Sequence, residues 1–137
     1  MAVADSGVLI AAFNKRDSLH KEGWEIVQSA DQGDIEPLTV HDFVLAETLN
    51  HLNRKVNSPS AREALRRLEA SDGFRLIRLS DVVYSVGKND VFPKEPGLSF
   101  VDALTVAFMR EHKMQVLYSF DDGFDGRAGI RRKARLR

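Results

Sequence analysis

Short apolar runs alternate with helix-patterned segments along the whole of this sequence, and that alternation restricts the fold more than any other feature. The runs at Met1–Ala4, Ile35–Val40, Phe74–Leu79 and Gln115–Phe120 have the length of strands. The stretches between them carry apolar residues at helical spacing. Strands joined by helices lie parallel, because a parallel neighbour is reached only through a long crossover. The sequence therefore predicts an α/β fold: a central, mainly parallel sheet of four or five strands, layered between helices.

Acids stand at the junctions of this pattern. Asp5 follows the small apolar run Met1-Ala2-Val3-Ala4 at once, and Ser6-Gly7 and the apolar Val8–Phe13 then begin a helix. In parallel α/β sheets such strand-to-helix turns collect at the carboxyl edge, where ligands bind. On this segment alone, a cap for the following helix is the simpler assignment for Asp5. Asp121 ends the last strand in the same way, so both carboxylates are expected at one sheet edge. Asp102 lies in the first turn of a helix that Ser99 caps and that runs through Val101, Leu104, Thr105 and Phe108 to His112-Lys113. That position suits an acid at a helix start, and periodicity leaves open which end of the sheet it reaches. Glu47 belongs to a helix over 41–56 whose stripe is Leu45, Leu49 and Leu52, which sets Glu47 on the other face with Phe43 and Asn50.

Elsewhere the pattern gives local expectations. Ser18 is expected to cap a helix carrying Leu19, Trp24, Ile26 and Val27, and Pro37 puts the second strand at its beginning or at an edge. Ser60 and Glu63 read as a capping box. The stretch from Asp81 to Gly97 is irregular, with Pro93 and Pro96 near its end. Residues 127–137 form a strongly basic tail. With 20 Lys plus Arg against 20 Asp plus Glu, net charge selects no partner class. The absence of cysteine removes disulfides and thiolate metal sites. No apolar run is long enough for a bilayer and no secretory signal is visible, so no membrane association and a cytoplasmic location are expected.

Four segments carry a family resemblance: Val3-Ala4-Asp5-Ser6, Val44-Leu45-Ala46-Glu47-Thr48-Leu49-Asn50, Leu98-Ser99-Phe100-Val101-Asp102-Ala103-Leu104, and Leu117-Tyr118-Ser119-Phe120-Asp121 with Phe124. In order and spacing the chain resembles PIN-domain ribonucleases, specifically VapC-type toxins of bacterial and archaeal toxin–antitoxin pairs. The resemblance implies one PIN domain over 1–137, a three-layer α/β/α sandwich. It implies an acidic quartet of Asp5, Glu47, Asp102 and Asp121 in one pocket, supported by Ser6 and Ser119. The family often has an acid two residues after its fourth aspartate; here that position is Gly123, and Asp125 is the reserve candidate. The resemblance further implies a VapB-type antitoxin that inserts a segment near the site, and a homodimer through helices such as Ser18–Ala30 and His41–Val56.

Charge supplies the chemistry. Carboxylates sharing a cleft repel one another and take up protons unless a cation is present. Oxygen ligands without cysteine favour Mg²⁺, with Mn²⁺ able to substitute, and such ions support in-line hydrolysis of a phosphodiester. The expected activity is a Mg²⁺-dependent endoribonuclease acting on RNA. Its alternatives are a housekeeping RNA-processing nuclease and a non-catalytic module binding RNA or protein. His20, His41, His51 and His112 are scattered and read as surface or packing residues. A receiver domain would need an acidic pair after its first strand, and an aspartyl phosphatase a second aspartate two residues after Asp5; neither is present. The tail cations Arg127, Arg131, Arg132, Lys133, Arg135 and Arg137 are expected to meet RNA or an acidic antitoxin segment. Arg62, Arg66 and Arg67 read as a solvated helix face.

Overall fold

Ala2–Ala4 (β1) is buried on both faces, and its small side chains let helices approach the middle of the sheet from either side. The computed structural model describes residues 1–136. β1 lies at the centre of a five-stranded parallel sheet, flanked by Leu38–His41 (β2) and Val116–Tyr118 (β4), with Phe74–Ile77 (β3) and Arg131–Lys133 (β5) at the edges. The expected four or five strands are five, and the mainly parallel sheet is wholly parallel. Three residues expected in the basic tail form its last strand. Arg137 lies outside the described residues.

Alternation along each strand divides the core into two layers. Ala2, Ala4, Leu38, Val40, Phe74, Val116 and Tyr118 face Ser6–Phe13 (α1), His20–Asp31 (α2) and the two helices Asp42–Lys55 (α3) and Ser58–Ala70 (α4). Val3 and Leu117 face the other way, into the apolar stripe of Phe100–Glu111 (α7) and against Val83 of Asp81–Val86 (α5). This is the three-layer sandwich that the sequence pattern implies. The irregular stretch before α7 is α5, a wide π-helical turn at Gly87–Val91 and the short Phe92–Lys94 (α6). A run of aromatic contacts fastens it: Phe43 stacks on Tyr84 at 5.7 Å, and Tyr84 and Phe92 meet Phe100 edge-on at 6.0 and 5.5 Å. Among the described residues no helix is long and apolar enough to cross a membrane.

Three local expectations change. Ser18 does not cap α2; its N-cap position is Leu19, whose amide is taken by the Asp17 carboxylate at 2.9 Å. The helix of Ser60 and Glu63 begins three residues earlier, because Asn57 is its cap and accepts the Ser60 amide at 2.8 Å, and Glu63 pairs with Arg66 instead. β3 stops at Ile77 rather than Leu79, since the Leu79 amide turns to the Asp42 carboxylate. Pro37 precedes β2, so the strand keeps its full ladder at an interior position.

Candidate active site at the carboxyl edge of the sheet

β1 delivers Asp5 to the carboxyl edge, fixed by its own amide, which donates to Tyr118 of β4 at 2.9 Å. Asp5 occupies the N-cap position of α1, yet its side chain makes no capping hydrogen bond. It accepts the Ser119 hydroxyl at 2.8 Å instead, a contact between residues 114 positions apart. The carboxylate is therefore directed into the cleft between the central strands. It is 6% exposed, and burial, with the nearby acids Asp102 and Glu47, pushes its pKa up to about 6 despite the Ser119 bond.

Asp102 reaches the same cleft because Ser99 caps α7 there, accepting the Asp102 amide at 3.1 Å. α7 runs from the carboxyl to the amino edge before β4 returns, which resolves the choice that periodicity leaves open. Burial raises the Asp102 pKa, and the neighbouring Asp121 and Glu47 raise it further. Glu47 is exposed, as its helical phase predicts, but the solvent it faces is that of the cleft: it accepts the Ser6 hydroxyl at 2.9 Å. The buried stripe of α3 is Val44, Thr48 and Leu52 rather than the expected Leu45, Leu49 and Leu52, since Leu45 and Leu49 are only half-buried, and this phase brings Glu47 to the cleft side. Asp121 is exposed and accepts the Gly123 amide at 2.9 Å, tightening the turn after β4.

Asp102 and Glu47 thus lie within electrostatic reach of Asp5, Asp121 and Glu47 within reach of Asp102, and the hydroxyls of Ser6 and Ser119 hold a carboxylate each. Asp125 is engaged elsewhere. Arg132 of β5 grips it through two hydrogen bonds of 2.8 and 3.0 Å and holds its pKa below the usual carboxylate range. The tail cations divide accordingly. Arg132 also donates to the Ser119 carbonyl at 3.1 Å, and Arg127 donates to the Gly123 carbonyl at 3.1 Å. These two arginines build the loop that carries Asp121. Arg131 and Arg135 remain exposed.

His41 was not singled out for this region by its sequence setting. It is fully buried at the end of β2, where its Nδ1 accepts the Val44 amide and its Nε2–H donates to the Thr105 hydroxyl at 2.8 Å. Burial lowers its pKa to about 4, so it is a neutral packing residue that joins α3 to α7 one turn beyond Asp102.

The donor set is oxygen-only, which suits a hard divalent ion. Among the described residues no three Asp, Glu or His groups converge closely enough to enclose an ion by themselves. Asp5, whose pKa burial raises, is the group that gains most from a cation nearby.

A family model described as PIN domain matches residues 2–130. No characterised protein sequence matches significantly. Among solved structures, the chain is similar to VapC20 of Mycobacterium tuberculosis, described as a sarcin–ricin loop cleaving toxin, with 25% identity and TM-score 0.78 over 96% of this chain and 99% of that one. A toxin–antitoxin complex from Klebsiella pneumoniae is similar at 19% identity and TM-score 0.66, covering 96% of each chain. VapBC2 from Rickettsia felis, bound to a DNA fragment from its promoter, is similar at 12% identity and TM-score 0.70, again covering 96% of each chain.

Proposed function

Because this chain belongs to the PIN-domain family, we propose that it is a Mg²⁺-dependent endoribonuclease and the toxin of a VapBC-type toxin–antitoxin pair, acting as one domain over residues 1–137. The observation that carries the reading is the grouping of Asp5, Glu47, Asp102 and Asp121 about one edge of the sheet, where Asp102 and Glu47 raise the Asp5 pKa and Asp121 and Glu47 raise that of Asp102. Four mutually repelling carboxylates are costly to keep together unless a cation is bound among them. The names of VapC20 and the two complexes support the toxin assignment and a VapB-type partner.

Asp5, Asp102 and Asp121 would hold the ion, directly or through water, and Glu47 would complete the shell. A bound Mg²⁺ supplies Lewis-acid stabilisation of the phosphate and a more acidic water. The residues do the rest. Ser119 keeps the Asp5 carboxylate in one rotamer, and Ser6 does the same for Glu47, so neither reorganises as charge builds on the phosphate. Glu47, exposed to the cleft, is placed to orient the attacking water and take its proton. Exposed Arg135, beyond the end of β5, adds positive charge for phosphates along the strand. Two copies pairing through α2 and α3 belong to the same reading, and sedimentation of the purified chain as a monomer would remove that part.

The test is cleavage of mixed RNA by purified protein. Cutting with Mg²⁺ that stops with EDTA, and stops with Asp5→Asn, is the expected result. Cutting that survives both would overturn the mechanism, and inactivity with every divalent ion would favour a binding-only module. Growth arrest on expression, relieved by a small adjacent open reading frame, distinguishes the toxin from an RNA-processing enzyme.

A further inference from the structure

A cavity of about 840 Å³ lies along the α7 face of the sheet, from Gln115 and Val116 at the amino edge to Ile77 and Ser80 at the far end of β3, and none of the four acids lines it. It begins where α7 ends. On the α7 face, the amino-end positions Thr39 of β2 and Arg75 of β3 stand side by side in register and floor the cavity, while Phe108 and His112 form its wall.

Its lining has two characters. Ile77, Phe108, Met114 and Val116 give an apolar surface, with the His112 ring 4.5 Å from that of Phe108. Arg75, Lys113 and Arg131 are exposed around it and carry no ion pair among the described residues. Glu36, the acid in the lining, is taken by the Met1 ammonium at 2.7 Å. The last carbonyls of α7 add partial negative charge here, which three full positive charges outweigh. Thr39 is the decisive residue. It is 2% exposed, and its hydroxyl has no hydrogen-bond partner among the described residues. A buried hydroxyl left unpaired costs stability, and turning the Thr39 side chain about its Cα–Cβ bond towards a ligand group in the cavity would recover it.

We propose that this cavity binds a nucleotide, its planar base against the apolar wall and the Thr39 hydroxyl, its phosphate among Arg75, Lys113 and Arg131. Inorganic phosphate would leave the apolar wall unused, and an uncharged aromatic would leave the cations unused. A nucleotide uses both, and the hydroxyl can either donate to a base edge or accept from one. The source is a free nucleotide or one nucleotide of an RNA strand. The site stands apart from the nuclease reading, since neither its residues nor its chemistry involve the acids.

The experiment is titration calorimetry of the full chain, in EDTA, with 5′-AMP, 5′-GMP, adenosine, inorganic phosphate and a short RNA oligonucleotide. Saturable binding of a nucleoside monophosphate is expected, at least tenfold tighter than adenosine or phosphate. It should persist in Asp5→Asn and weaken tenfold or more in Arg75→Glu and Arg131→Glu. Thr39→Val, which keeps the shape and removes the hydroxyl, should weaken it severalfold while the protein stays folded by circular dichroism. Competition by the oligonucleotide assigns the site to an RNA strand; binding of mononucleotide without competition assigns it to a free nucleotide. Absence of saturable binding by both, or binding that Asp5→Asn abolishes and charge reversal leaves intact, overturns the proposal.

Discussion

Asp5 carries its carboxylate in a buried position beside Asp102 and Glu47, so removing the charge relieves a repulsion at the same time as it removes the proposed metal ligand. Asp5→Asn is expected to abolish RNA cleavage yet raise the stability of the metal-free protein at neutral pH by about 1–3 kcal/mol, read from thermal unfolding in EDTA. Adding Mg²⁺ should raise the melting temperature of the original protein and leave that of Asp5→Asn nearly unchanged. Ser119→Ala removes the hydroxyl that donates to Asp5 and accepts the Asp121 amide at 3.0 Å. It should lower Mg²⁺ affinity or activity by about 10–100-fold, measured from the metal dependence of cleavage. Asp125→Asn separates the two candidates for the fourth acid: Asp125 is spent on Arg132, so activity should fall little, whereas Asp121→Asn should nearly abolish it.

α7 positions Asp102 and covers half the sheet, and its two ends are set by different means. Its start depends on Ser99, and Ser99→Ala should cost about 1 kcal/mol of stability and a larger loss of activity, because the first turn carries the acid. Its packing depends on Gly87 in the π-helical turn, where an added Cβ would fall 2.6 Å from Leu104 Cδ2 and 3.1 Å from the Leu104 Cα. Gly87→Ala should therefore destabilise by about 1–3 kcal/mol, seen as a lower denaturant midpoint. Much of this architecture was legible. Strand–helix alternation gave the parallel sheet, and Ser99 with its apolar stripe gave α7 correctly. What was not legible depended on contacts across the chain. Arg132 looked like one cation in a basic tail, and nothing local marks it as the partner of Asp125. His41 has no sequence neighbour that reveals its bond to Thr105, 64 positions away. Glu47 was assigned to a solvated face correctly, but its phase could not show that the cleft lies on that side; the family resemblance supplied it.

The whole fold feels pH through two buried groups of opposite sign. His41 titrates near 4 in the folded protein rather than near 6.5, so the unfolded chain binds its proton more readily. Stability from His41 is complete above about pH 6.5 and declines by about 3 kcal/mol as pH falls towards 4. Asp5, titrating near 6 instead of 3.8, gains stability over much of the same interval and offsets that loss. Asp5→Asn removes the offset, so its stability should fall more steeply than the original protein's between pH 6.5 and 4, as urea midpoints would show. Equal slopes would contradict the burial of one of the two groups. The order of the strands has a further result. β1 is made first, but its partner β4 and the Ser119 that aligns Asp5 are made more than a hundred residues later. A ribosome translating this chain therefore carries an incomplete cleft until Ser119, 114 positions after Asp5, has been added.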